Sequence, residues 1–128
     1  MTLRALVADD ESIFRDQVRT LLEERGVEVL EAKDGHEAFA LFMKENVDFM
    51  ITDFLMPRVD GIQLVRDIRL TGPKGKIPVV LMSAISKGHV FQGTSRNLGP
   101  DHYINKPFKA KKMAKLLDKI LKRLTQTS

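Results

Sequence analysis

Five short apolar runs, separated by helix-length stretches, constrain this 128-residue chain more than any other feature. Residues 3–8 are apolar apart from Arg4 and end in Asp9-Asp10. Residues 27–31 set Val27 and Val29 against Glu28, residues 49–52 end at Asp53, residues 79–82 end at Ser83, and Tyr103-Ile104 precedes Lys106-Pro107. Runs of this length, bounded by turn residues, read as buried strands. Between them apolar residues return at helical spacing. Phe14, Val18, Leu21, Leu22 and Arg25 form one such set, with Ser12 as the cap and Gly26 as the stop. Ala38, Leu41 and Phe42 mark a helix over 37–44 after an Asp34-Gly35 turn, and Ile62, Val65, Ile68 and Arg69 mark another after the loop holding Pro57 and Gly61. A polar linker covers 71–76. Met113, Leu117, Ile120 and Leu124 are the core stripe of a last helix over 109–124. Residues 86–98 are rich in Gly and Ser, which predicts a short or shifted helix anchored by Val90 and Leu98 and ended by Pro100.

Strands alternating with helices predict an α/β layer fold with a parallel sheet covered on both faces. Right-handed crossovers then bring every strand's C-terminal end to one edge, where such sheets bind ligands. That edge would collect Asp9, Asp10, Asp53, Ser83 and Lys106.

Composition narrows the chemistry. With 43% hydrophobic and 30% charged residues the chain is neither disordered nor apolar enough for a membrane span, and no run of 18 apolar residues exists. The absence of cysteine excludes disulfides, thiolate metal sites and cysteine nucleophiles, and with no signal-like segment it predicts a cytoplasmic protein. The net charge of +4 is uneven. Residues 106–128 hold eight bases and one acid, or +7, so residues 1–105 carry −3. Lysine with almost no interleaved arginine or aromatics is read as a solvated helix face, not as a nucleic-acid surface.

Clustered carboxylates repel and need a cation between them. A hard, oxygen-binding divalent ion meets that need, with Mg²⁺ the default. Lys106 is a point charge suited to phosphate, Ser83 can donate a hydrogen bond to a phosphoryl oxygen, and an aspartate can accept a phosphoryl group covalently. The residue chemistry alone predicts a Mg²⁺-dependent aspartyl-phosphate site.

The ordered set Asp9-Asp10-Glu11, Asp53 through Asp60-Gly61, Ser83-Ala84 and Tyr103-Ile104-Asn105-Lys106-Pro107-Phe108 resembles the receiver domain of bacterial two-component response regulators, over nearly the whole chain. The resemblance implies a flavodoxin-like (βα)5 three-layer sandwich with strand order 2-1-3-4-5, over residues 1–124, with 125–128 a short tail or the start of a linker. It implies that Asp53 is the phosphoacceptor for a phosphohistidine on a sensor histidine kinase or a histidine phosphotransfer domain. Asp10, Asp53 and the backbone carbonyl of Leu55 would ligate Mg²⁺, with Mn²⁺ a substitute, and Asp9 would hold the metal directly or through water. Ser83 and Lys106 would contact the phosphoryl group, and Ser83 and Tyr103 would form the switch. Lys106-Pro107 would be a cis bond, and residues 86–124 the output surface toward a downstream protein, in a monomer or a phosphorylation-dependent dimer. Phe14 falls where relatives dock the kinase's histidine helix, or else in the core. Leu55 and Ile85, bulky and apolar, would hinder water and lengthen the phosphoryl lifetime beyond seconds.

The implied protein is a switch and not a turnover enzyme. A competing reading is the receiver part of a longer regulator whose DNA-binding or other output domain lies outside these residues. Met1 reads as a true start. A phosphate-independent scaffold leaves the complete acceptor set without a purpose. A dinucleotide- or flavin-binding enzyme is disfavoured because the loop Ala8-Asp9-Asp10-Glu11-Ser12 lacks glycines and would repel a cofactor phosphate.

Overall fold

The computed structural model describes residues 2–85 and 98–126, and the predicted helix over 86–98 lies almost wholly outside them. The elements are β1 (Arg4–Ala8), α1 (Ser12–Glu23), β2 (Glu28–Ala32), α2 (Gly35–Lys44), β3 (Phe49–Asp53), α3 (Gly61–Arg69), a 3-10 turn (Pro73–Gly75), β4 (Val79–Ser83), β5 (His102–Asn105) and α4 (Ala110–Thr125). All five strands are parallel, in the order β2-β1-β3-β4-β5.

The two-residue period of the strands divides the core between two faces. Ala5, Val7, Phe49, Ile51, Val80 and Met82 point to one side, where Val18 and Leu22 of α1 and Met113, Leu117 and Ile120 of α4 cover them. Leu6, Ala8, Met50 and Val79 point to the other, under Ala38 and Phe42 of α2 and Leu64, Val65 and Ile68 of α3. The three central strands are buried on both faces, which is why their sequences read as unbroken apolar runs.

Two local expectations are corrected. Ser12 does not cap α1: Glu11 occupies the cap position, with no side-chain cap hydrogen bond, and Ser12 is the first helical residue. The reason lies just upstream, where the Glu11 N–H donates to Asp9 Oδ1 (2.9 Å) and the Glu11 carbonyl already accepts from Phe14 and Arg15. Arg25 lies beyond the helix end; its side chain turns back to donate to the Leu21 carbonyl and to pair with Asp118 of α4 at 2.6 Å. Gly26 takes φ +74°, the left-handed conformation that ends a helix at low cost.

Candidate functional site

Strand register brings the site together. Ala8 pairs with Thr52, so Asp9 and Asp53 leave β1 and β3 side by side, at the point where strand order reverses. Asp53 pairs with Met82, which sets Ser83 one residue further along, and Ser83 pairs with Asn105, which does the same for Lys106. A cavity of about 270 Å³ opens there, lined by Asp10, Glu11, Phe14, Asp53, Leu55, Ser83, Ala84, Lys106 and Pro107.

Three polar side chains at this edge are strongly desolvated. Asp9 is fully buried, Asp53 is 5% exposed and Ser83 2%, while Asp10 and Glu11 face solvent. The Lys106 ammonium reaches Asp9 Oδ2 at 2.8 Å, Asp53 Oδ2 at 3.2 Å and Glu11 Oε1 at 3.2 Å. Asp53 Oδ1 accepts from the Phe54 N–H (2.9 Å), which fixes the carboxylate plane. Arg15 donates to the Asp9 carbonyl (2.7 Å) and pairs with Glu31 (3.3 Å), so a second cation holds the turn after β1.

Gly61 sets how closely the β3–α3 loop can return. A Cβ there would sit 2.2 Å from the Asp53 carbonyl oxygen, and the Gly61 N–H closes the loop onto the Phe54 carbonyl at 2.7 Å. The tip of that loop holds Arg58 at φ +70°, a left-handed conformation that costs a non-glycine residue about 1 kcal/mol.

Burial pushes the Asp53 carboxyl up to about 6, helped by the neighbouring Asp9 charge and opposed by Lys106. Burial also raises Asp9, against its hydrogen bonds from Lys106 and the Glu11 N–H. Burial works to lower Lys106, but the Asp9 and Asp53 carboxylates outweigh it and hold the ammonium above its ordinary value. One buried cation thus faces three carboxylates, those of Asp9, Asp53 and Glu11, more negative charge than it can neutralise.

The donor set fits a hard divalent cation. One carboxylate oxygen each from Asp9, Asp10, Glu11 and Asp53 lies within 4.8 Å of the others, with no sulfur or imidazole in the group. Glu11 is the member that sequence reasoning left without a role, although its place in the triplet Asp9-Asp10-Glu11 was in plain view. Leu55 lines the cavity with its side chain 59% exposed.

Tyr103 lies outside the cavity, beside a second one of about 570 Å³ that it lines with Ile104, Leu116 and four lysines of α4, Lys112, Lys115, Lys119 and Lys122. It reaches the site through one residue, Ile85. Its hydroxyl donates to the Ile85 carbonyl, while the Ile85 N–H donates to Ser83 Oγ at 2.9 Å. The Lys106–Pro107 bond is cis, as expected. Phe14 joins neither core cluster; it stands against Phe108, with ring centroids 6.0 Å apart, and faces Lys106.

Known proteins resemble this chain in sequence and fold. A family described as "Response regulator receiver domain" matches residues 5–118. "Probable transcriptional regulator ycf27" of Galdieria sulphuraria is 36% identical over 94% of the chain and 46% of its own length, and "Transcriptional regulatory protein ResD" of Bacillus subtilis is 34% identical over 98% and 50%. The chain therefore spans about half the length of these relatives. Among solved structures, the chemotaxis response regulator CheY4 of Vibrio cholerae superposes with a TM-score of 0.84 at 27% identity, covering 94% of this chain and 99% of that one. The receiver domain of Francisella response regulator 1452 gives 0.82 at 31% identity, covering 96% and 99%.

Proposed function

The chain belongs to the response regulator receiver-domain family, and from that premise we propose that it is a phosphorylation-controlled switch with Asp53 as the phosphoacceptor. The observation that carries this reading is the Lys106 ammonium held 3.2 Å from the Asp53 carboxylate in a cavity shared with Ser83. The donor would be a phosphohistidine on a sensor histidine kinase or a histidine phosphotransfer domain. Its P–N bond breaks as a P–O bond forms to Asp53, and the imidazole leaves with the bonding pair.

Bound Mg²⁺, or Mn²⁺ in its place, would be held by Asp10, Asp53 and the Leu55 carbonyl, with Asp9 direct or through water, and would supply positive charge against the phosphoryl oxygens. The chain's own residues do the rest. Asp53, with its carboxyl near 6, is ionised at neutral pH and can attack. Lys106 shifts its ammonium from carboxylate to phosphoryl oxygen, where charge develops. Ser83 can give its hydroxyl proton to the same group, because among the described residues its oxygen accepts from the Ile85 N–H and donates to none. When Ser83 turns toward the phosphoryl group it leaves the Ile85 N–H, and the carbonyl that holds Tyr103 belongs to the same residue. That coupling would carry the modification, about two negative charges, to the surface formed by residues 86–124 and to a downstream protein. The coverage of the relatives favours a second reading, in which this is the receiver part of a longer regulator. A cytoplasmic site of action follows from the proposed kinase partner; no described helix is long and apolar enough to cross a membrane.

Intact mass after incubation with acetyl phosphate and Mg²⁺ tests the proposal. A gain of one phosphoryl group, about 80 Da, is expected in the wild type, absent in Asp53→Ala and absent without Mg²⁺. An equal gain in Asp53→Ala would overturn the assignment.

A further inference from the structure

We infer that Phe14 is a positioning residue for Lys106: its ring face closes the side of the ammonium that the carboxylates leave open and holds it beside Asp53. The inference rests on Asp53 being the acceptor. An ammonium has three N–H donors; Lys106 hydrogen-bonds to Asp9 and Glu11 and forms an ion pair with Asp53 at 3.2 Å. The Phe14 ring centroid lies 4.1 Å from the same nitrogen, within range for attraction to the negative face of an aromatic ring. That face takes the place water would otherwise occupy, and the lysine side chain is only 6% exposed.

Two further observations separate this role from ordinary packing. Phe14 belongs to neither hydrophobic core cluster, although it sits on α1 four residues before the core residue Val18. Its ring is instead braced by Phe108, tilted 52° to it and two residues past Lys106. Phe108, itself packed against the core beneath α1 and α4, thus braces the ring that faces the lysine. A lysine is a compact charge on a flexible four-carbon stem, so its usefulness in phosphoryl transfer depends on what immobilises it. Glu11 is exposed and contributes little to that. Phe14 contributes without adding a charge that would compete for the phosphoryl group.

The test uses Phe14→Leu, which keeps apolar bulk and loses the ring, and Phe14→Tyr, which keeps the ring. Phe14→Met replaces the leucine variant if that one does not fold. The first readout needs neither phosphate nor metal: the ring-current shift of the Lys106 Hε protons by NMR. It is expected in the wild type and Phe14→Tyr and lost in Phe14→Leu. The second is the rate of phosphoryl uptake from acetyl phosphate at saturating Mg²⁺, expected to fall about three- to tenfold in Phe14→Leu and to stay within about twofold in Phe14→Tyr. A wild-type rate in Phe14→Leu, or an equal loss in both variants, would overturn the role of Phe14 and leave Asp53 as the acceptor. A wild type that takes up no phosphoryl group would overturn the acceptor reading and this inference with it, a result the ring-current readout keeps distinct from a misplaced Phe14.

Discussion

At the scale of single residues the site is an electrostatic compromise, and Asp53 bears most of it. Its carboxyl moves from the ordinary 3.8 to about 6, first through burial and then through Asp9, with Lys106 opposing. Between those values the folded protein binds more protons than the unfolded chain, so stability falls as pH rises through that window and stays low above it. A shift of about two units corresponds to at most about 3 kcal/mol. Asp53→Asn should therefore be more stable than the wild type at pH 7 without metal, by about 1–2 kcal/mol once lost support from Lys106 is allowed for. Urea denaturation at stepped pH checks this: the gap should close as pH falls toward 4, where both proteins are neutral at this position. A variant less stable than the wild type at pH 7 would mean that Lys106 more than offsets the repulsion.

At the scale of elements, what sequence shows and what it hides divide by mechanism. The three central strands were legible because burial on both faces demands continuous apolar runs, and the candidate site because four of the five runs lead into a residue with chemistry. Register, loop return and side-chain reach were not. Nothing local announces that Lys106 pairs with Asp9 and Glu11, 97 and 95 residues away. Ser12 looked like a cap because its type suits one, but the turn stabilised by Asp9 starts the helix a residue earlier. Arg69 was legible only as one of four residues, with Ile62, Val65 and Ile68, that mark a helix. It is instead a nearly buried hub, donating to the carbonyls of Gly75 (2.7 Å), Ile77 (2.6 Å) and Gly99 (3.2 Å) and to Asp101 (2.9 Å), which also accepts from the Val79 N–H. It ties the end of α3 to the segments entering β4 and β5. Arg69→Met keeps the aliphatic stem and strands those acceptors, so it should cost about 2–4 kcal/mol. Urea unfolding would show this as a lower midpoint at unchanged m. A cost below about 0.5 kcal/mol would mean that water replaces the guanidinium at every carbonyl.

At the scale of the whole molecule, the fold places its greatest electrostatic cost where the proposed function needs a cation. Helices pack on both sheet faces, and among the described residues the buried polar side chains, Asp9, Thr52, Asp53 and Ser83, lie at or next to the strand ends of one edge. A ligand that relieves the electrostatic cost there must stabilise the entire domain, because it binds the folded state alone. At a Mg²⁺ concentration of 100 times its Kd the gain is about 2.7 kcal/mol. For a chain of this size that raises Tm by roughly ten degrees. NaCl at matched ionic strength should do far less, since screening acts weakly on desolvated groups such as Asp9 and Asp53. Excess EDTA should return Tm to its starting value. Asp53→Asn supplies the discriminating comparison. It starts higher than the wild type without metal and should gain little from Mg²⁺, so the two melting curves should converge or cross as metal is added. Parallel gains in both proteins would place the cation away from Asp53 and separate the metal from the phosphoacceptor.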